Sequence, residues 1–190
     1  MLERESNEEP SDEQLLARTA AGDQRAFRPL IARHMGRAIR LAQAISGNAS
    51  DADDIAQDAF LRVWRQAGSF DPDIARFTTW LHRIVVNLAI DRTRRPRAEP
   101  IELAEDVPSD EPGALVVLIG AEERDVVRKA LAEIPQRQRA AIALFHLEGL
   151  SVREAATAMS MSEKAFESLL TRARRALKQS VLAAQTLHQT

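Results

Sequence analysis

The sequence predicts an all-α protein, two small helical domains joined by an acidic linker, and three observations lead there. Ala, Leu, Arg and Glu, all strong helix formers, dominate the 190 residues. The 7 Gly and 8 Pro fall in clusters, which leaves long uninterrupted stretches between them. Within those stretches apolar residues recur three and four apart, the helical period, and β-branched runs bounded by turns are few. The chain is 45% hydrophobic, enough for a core in each half, although only 4% is aromatic and Tyr is missing.

The elements follow in order. Residues 1–10 form an acidic lead that reads as disordered. Ser11 then suits an N-cap, with Gln14 in the capping-box position, and Leu15, Leu16 and Thr19 begin an apolar stripe that Gly22-Asp23 breaks. A second helix carries Phe27, Leu30, Ile31, Ile39 and Ile45 and ends at Gly47-Asn48. Ser50 or Asp51 is expected to cap a third, DADDIAQDAFLRVWRQ. Its apolar positions make two adjacent rows, Ile55, Ala59, Val63 and Phe60, Trp64, and Asp51, Asp53 and Asp54 suit the positive end of a helix. Gly68-Ser69 closes it. SFDPDIARFTT reads as a loop, and a fourth helix is expected from about Thr78 to Arg95. There Trp80, Leu81, Ile84, Val85, Leu88 and Ile90 face inward, Arg92, Arg94 and Arg95 crowd the end, and Pro96 stops it.

Composition then changes. Between Glu99 and Pro112 lie Glu99, Glu102, Glu105, Asp106, Asp110 and Glu111, with no base and with Pro100, Pro108 and Pro112: an extended, self-repelling linker. The short apolar run ALVVLIG reads as the start of a helix leading into Glu122–Ile134, although a strand fits it too. Helices are expected at Arg137–Leu147, ending at Gly149, and at Val152–Met159, opened by Ser151 with Glu154 as its box partner. After the turn Ser160-Met161-Ser162, a long helix runs past Lys178. Helix, short turn, helix is the unit that lays a helix in the major groove of DNA. The expected division is a lead at 1–10, a first domain at 11–96, a linker at 97–119, a second domain at 120–184 and a tail at 185–190.

Several function classes find no support. With no Cys, disulfides, thiolate metal sites and a Cys nucleophile are excluded. His34, His82, His146 and His188 share no metal-ligand spacing, so each reads as structural or solvated. The Asp51, Asp53, Asp54 trio lacks a calcium loop's glycine, and no phosphate loop, dinucleotide fingerprint or nucleophile elbow is found. No enzyme, cofactor or metal is therefore expected. No apolar run nears the roughly 18 residues of a membrane span, and the N-terminus lacks the flank and core of a signal peptide, so the expected location is cytoplasmic. The net charge of −2 does not speak against DNA, because charge is segregated along the chain.

Three blocks in fixed order, GDQRAFRPLIARH, DADDIAQDAFLRVWRQ and FTTWLHRIVVNLAIDRTRR, resemble region 2 of extracytoplasmic-function sigma factors. LAEIPQRQRAAIALFHLEGLSVREAATAMSMSEKAFESLLTRARRAL is similar to their region 4, and a linker in place of a third region agrees. The resemblance implies promoter-specificity subunits of bacterial RNA polymerase. It implies partners as well: core polymerase, through its β′ clamp helices and β flap; promoter DNA; and an anti-sigma factor, commonly in a stress response.

On this resemblance Asp54, Gln57, Asp58, Leu61 and Trp64 are the candidates for docking on the clamp helices, where charged pairs set orientation and an aromatic anchors. Periodicity alone allows a plainer reading, with Phe60 and Trp64 in the core and the acids solvated. For melting the −10 element the candidates are Phe70, Phe77 and Trp80 as stacking surface, Arg76, Arg83, Arg92, Arg94 and Arg95 as charge, and Asn87 as base reader. Phe77 and Trp80 also fit a core. For the −35 element they are Lys164, Glu167, Ser168, Thr171, Arg172, Arg174 and Arg175. Here the chain departs from the family pattern: Glu167 takes a usually basic slot and Leu169 a usual Arg slot. The acidic linker is expected to thread toward the polymerase cleft, or to be a plain tether. Two other functions stay open: a helix-turn-helix regulator acting without polymerase, and a sigma-mimicking adaptor.

Overall fold

The computed structural model describes residues 9–94 and 121–187, and every regular element among them is helical. The first half holds α1 (Asp12–Ala20), α2 (Phe27–Ser46), α3 (Ala49–Gln66) and α4 (Phe77–Arg94); the second holds α5 (Ala121–Ala132), α6 (Gln136–Ile142), α7 (Val152–Ala158) and α8 (Glu163–Leu187). The apolar run 114–120, the linker, the lead's first residues and the tail's end lie outside the described residues.

Local chemistry explains the helix starts. Ser11 Oγ accepts from Gln14 N at 3.2 Å while Gln14 Oε1 accepts from Ser11 N at 2.9 Å, so two otherwise unpaired donors are satisfied reciprocally. Ser151 and Glu154 repeat the arrangement at α7. For α3 the expected cap is corrected: Asn48 does the work, its Oδ1 accepting from Asp51 N at 3.1 Å, and the helix begins at Ala49. Gly47, at φ 76°, ends α2 in the left-handed region, which lets the chain reverse tightly into that cap.

In the first half α2 is the central strut, with α1, α3 and α4 packed around it. Of the rows seen in the sequence, Leu30 and Ile45 from α2, Ile55, Ala59, Phe60 and Val63 from α3, and Leu81, Ile84, Val85 and Leu88 from α4 are buried, Phe27, Ile31, Ile39, Trp80 and Ile90 are partly buried, and Trp64 is exposed. In the second half α8 packs on α5, α6 and α7, and Phe166 is completely enclosed. The helix expected at Arg137–Leu147 is divided. After Ile142 the backbone widens into a π turn, Ala143–Leu147, closed by Glu148 N donating to Ala143 O at 2.9 Å. Arg139 is buried behind it, where its guanidinium donates to the end carbonyls Leu131 O and Ala132 O of α5, and burial lowers its pKa.

The two halves touch. α4 packs on α7, α2 on α6 and on the π turn, and the buried apolar side chains of both form one continuous cluster.

Candidate nucleic-acid interface

On α3 the residues expected to dock on a partner share one exposed face. Asp54, Gln57, Asp58, Leu61 and Trp64 fall at helical spacing and all are exposed, while Phe60 of the same helix is buried. Leu61 is 51% and Trp64 38% exposed, large apolar side chains left uncovered beside carboxylates. The Trp64 ring is braced edge-on against Phe27, centroids 5.0 Å apart, which fixes it at the surface. Asp54 is not free: Arg92 bridges α3 and α4 by donating to Asp54 Oδ2 and to Asp51 Oδ1.

Between α3 and α4 the loop folds back on α4. Phe70 is half-buried, its ring 5.2 Å from Trp80, and Trp80 in turn lies 6.4 Å from Phe77. Phe70, Trp80 and Arg83 line a pocket of about 150 Å³ with Ser69, Asp71, Ile74, Ala75, Thr79 and Thr157. Arg83 and Asn87 continue along the exposed face of α4, one turn apart, and Arg76 is exposed at its start. Asn87 therefore points its amide at solvent from an otherwise apolar stretch.

Two expectations for this site are corrected. Phe77 offers no stacking surface: it is 0% exposed, enclosed against His34, because it opens α4 on the side facing α1 and α2. Glu13 of α1 accepts from Phe77 N at 3.1 Å and holds that helix start in place. Arg92 is not an unengaged cation for a phosphate, because two carboxylates already hold it. The Arg94 side chain and Arg95 lie outside the described residues.

On α8 the first turns are presented to solvent. Lys164, Glu167, Ser168, Thr171, Arg172, Arg174 and Arg175 are all exposed, around the buried row Phe166, Leu169, Leu170 and Ala173. Leu169 explains the departure noted in the sequence: at 8% exposure its slot belongs to the core of this domain. Ser168 and Thr171 donate to Lys164 O and Glu167 O, which leaves their hydroxyl lone pairs as acceptors. Arg174 turns back over the Phe145 ring, 5.1 Å from its centroid, and donates to His146 Nε2. Burial, and then the Arg174 charge, push the His146 pKa below the ordinary imidazole value, so the ring is neutral and accepts. Behind this pair, α6 and α8 leave an apolar groove of about 330 Å³ along Ile142, Leu177, Val181 and Leu182.

One constellation was not read from the sequence. Glu148, in the turn before α7, is buried between the two halves. It accepts from Arg37 Nε of α2 and from His82 Nε2 of α4, the latter at 3.1 Å, and Arg37 also donates to Glu148 O at 2.8 Å. Burial raises the Glu148 pKa, but hydrogen bonding from His82 and the facing charges outweigh it, and the net shift is downward. An acid followed by Gly, and a His set in an apolar helix, were the available signals; neither says which distant residue it meets. The other described His residues are structural: His34 pairs with Asp12 at 2.7 Å, and among the described residues no cluster could hold a metal.

Comparison with known proteins agrees with this geometry. Residues 30–99 match the family Sigma-70 region 2, and residues 124–177 match Sigma-70, region 4. The ECF RNA polymerase sigma factor SigM of Mycobacterium tuberculosis H37Rv is 42% identical over 87% of this chain and 82% of its own. The ECF RNA polymerase sigma-E factor of Escherichia coli K12 is 32% identical over 92% of this chain and 96% of its own. The structure of CnrH in complex with the cytosolic domain of CnrY superposes with a TM-score of 0.68 at 32% identity, covering 90% of this chain and 97% of that one. The chain belongs to the extracytoplasmic-function branch of the sigma-70 family.

Proposed function

We propose that this chain is an alternative sigma factor that seats on core RNA polymerase, opens the −10 element of its promoters and reads the −35 element, under the control of an anti-sigma factor in a stress response. The observation that carries this reading is the α4 face, where a ring-lined pocket of Phe70 and Trp80 sits beside Arg83 and Asn87. Capturing an unstacked base needs ring surface, a cation for the backbone and a group that reads base edges, and unstacking costs a few kcal/mol that these contacts must return. Phe77 contributes by supporting Trp80 from below.

Core polymerase docks on the α3 face. Leu61 and Trp64 anchor it, and Gln57 and Asp58, beside the Asp54 that Arg92 already holds, orient it against basic side chains of the clamp helices. The groove along Ile142, Leu177, Val181 and Leu182 suits an apolar segment such as the tip of the β flap. On DNA, α8 enters the −35 major groove; Lys164, Arg172 and Arg175 grip phosphate, and Glu167 accepts from a cytosine amino group. The division is residues 11–96 for the first reader and 120–184 for the second, with 97–119 setting their span. CnrH is solved with CnrY, and that pairing supports control of the present chain by an anti-sigma factor. No described helix is long and apolar enough to cross a membrane, and the chain acts in the cytoplasm, where polymerase is.

In-vitro transcription with purified core polymerase and a promoter library tests the reading. Specific starts sharing two elements are expected. Tight duplex binding by the chain alone, with no polymerase-dependent starts, would instead identify an ordinary helix-turn-helix regulator.

A further inference from the structure

α8 presents two different exposed faces. Ser168, Thr171, Arg172 and Arg175 follow one helical row, and Arg174, Leu177, Lys178 and Val181 follow another. The second row starts six residues after the first, so the two are about 120° apart around the helix. Arg174 therefore stands away from the polar face of Ser168, Thr171 and Arg172. Its row lines the groove walled by Ile142, Leu177, Val181 and Leu182, where Arg174 and Lys178 supply positive charge and no carboxylate is among the lining side chains.

The contacts of Arg174 are also unlike those of other arginines. Arg18, Arg33, Arg37 and Arg92 are each held by a carboxylate. Arg174 instead directs its Nε and one terminal nitrogen at His146 Nε2, at 3.2 and 3.1 Å, with its guanidinium carbon 5.1 Å from the centre of the Phe145 ring. A ring nitrogen offers a single lone pair, so two donors converge on one acceptor and the other N–H groups of the guanidinium stay open. The ring face and the ring nitrogen orient the cation without neutralising it.

We propose that Arg174 is a docking residue of this groove, aimed by Phe145 and His146 at a carboxylate carried by the apolar protein segment that the groove takes. The partner is an amphipathic segment with an acidic side chain beside its apolar ridge. An apolar groove alone accepts any ridge of the right size; a fixed cation at its side sets register and direction. The guanidinium fork suits a carboxylate in particular, because both oxygens can accept from it at once. The inference rests on the reading of this groove as a polymerase-docking site, but recognition of the carboxylate can be measured without polymerase.

Two fluorescein-labelled helical peptides test it on the full-length chain. They share a ridge of Leu residues four apart and differ only in a Glu or a Gln one turn beyond it. Fluorescence anisotropy should show the Glu peptide bound about fivefold more tightly at low salt, with the preference shrinking as salt rises. Arg174→Gln should abolish the preference. So should His146→Glu, which gives the guanidinium a carboxylate of its own. Both variants should keep the affinity for the Gln peptide, with helix content checked by circular dichroism. Equal binding of the two peptides by the unsubstituted chain, or no binding of either, would overturn the inference. A preference that survives Arg174→Gln would overturn the assignment to Arg174. Core polymerase added as a competitor separates the two readings. If it fails to displace a peptide bound with the expected preference, polymerase docking at this groove fails and the role of Arg174 stands. Displacement with no preference between the peptides does the reverse.

Discussion

Asn87 and Leu169 show how differently single residues can be judged. Asn87 costs helix propensity and gains nothing from packing, because it stands exposed on α4 between buried neighbours. Its amide is exposed, and on the proposed role it would contact a base edge, an interaction worth about 1–3 kcal/mol. Asn87→Ala should therefore reduce promoter opening about tenfold or more, seen as lost permanganate reactivity at −10 thymines, with core-polymerase affinity unchanged. Leu169 has the opposite character. Restoring the family's usual Arg with Leu169→Arg should not tighten −35 binding. It should destabilise region 4 by about 1–3 kcal/mol, because a charged head is forced into a core slot, and thermal unfolding of the variant measures this.

At the scale of elements, α3 divides its labour between two faces. Ile55, Ala59, Phe60 and Val63 hold the bundle, and the Asp54–Trp64 face is exposed. Asp58→Ala with Trp64→Ala should weaken binding to core polymerase by at least ~2 kcal/mol, about thirtyfold, in a competition assay, while helix content stays the same. Unaltered competition would remove the docking role from this helix. The buried row Ile55, Ala59 and Val63 was legible in the sequence from the helical period, but the period put Trp64 in one row with Phe60 and did not say that Phe60 is buried and Trp64 exposed. The end of α6 was not legible: ALFHL has ordinary helical composition, and the π turn there leads directly to Glu148, which meets Arg37 of α2 and His82 of α4.

For the whole molecule, the inter-domain cluster gives stability a pH dependence. The facing groups are Arg37 on α2, His82 on α4 and, nearby, Arg76 and the capping Glu154 of α7, whose pKa is also lowered, chiefly by its bond to Ser151. A carboxyl whose folded pKa lies below its unfolded value adds stability that is fully present above the unfolded value and is lost as pH falls through the folded one. Contact between the domains should therefore loosen as pH drops below the usual carboxylate range. Energy transfer between the domains, followed against pH, reads this directly. In Glu148→Gln that acid-side transition should be reduced.

The sequence alone determined the all-helical class, the capping boxes at Ser11 and Ser151, and the buried row of Ile55, Ala59 and Val63 on α3. All of these follow from rules acting within a few residues: helix period, side-chain hydrogen bonds to local backbone, and the burial of apolar rows. Only the tertiary structure decided that Phe77 is enclosed, that Arg92 is held by Asp51 and Asp54, and that Glu148 finds Arg37 and His82 more than sixty residues away. Whether a ring or a charge is available depends on which distant surface comes to rest on it, and local periodicity carries no record of that.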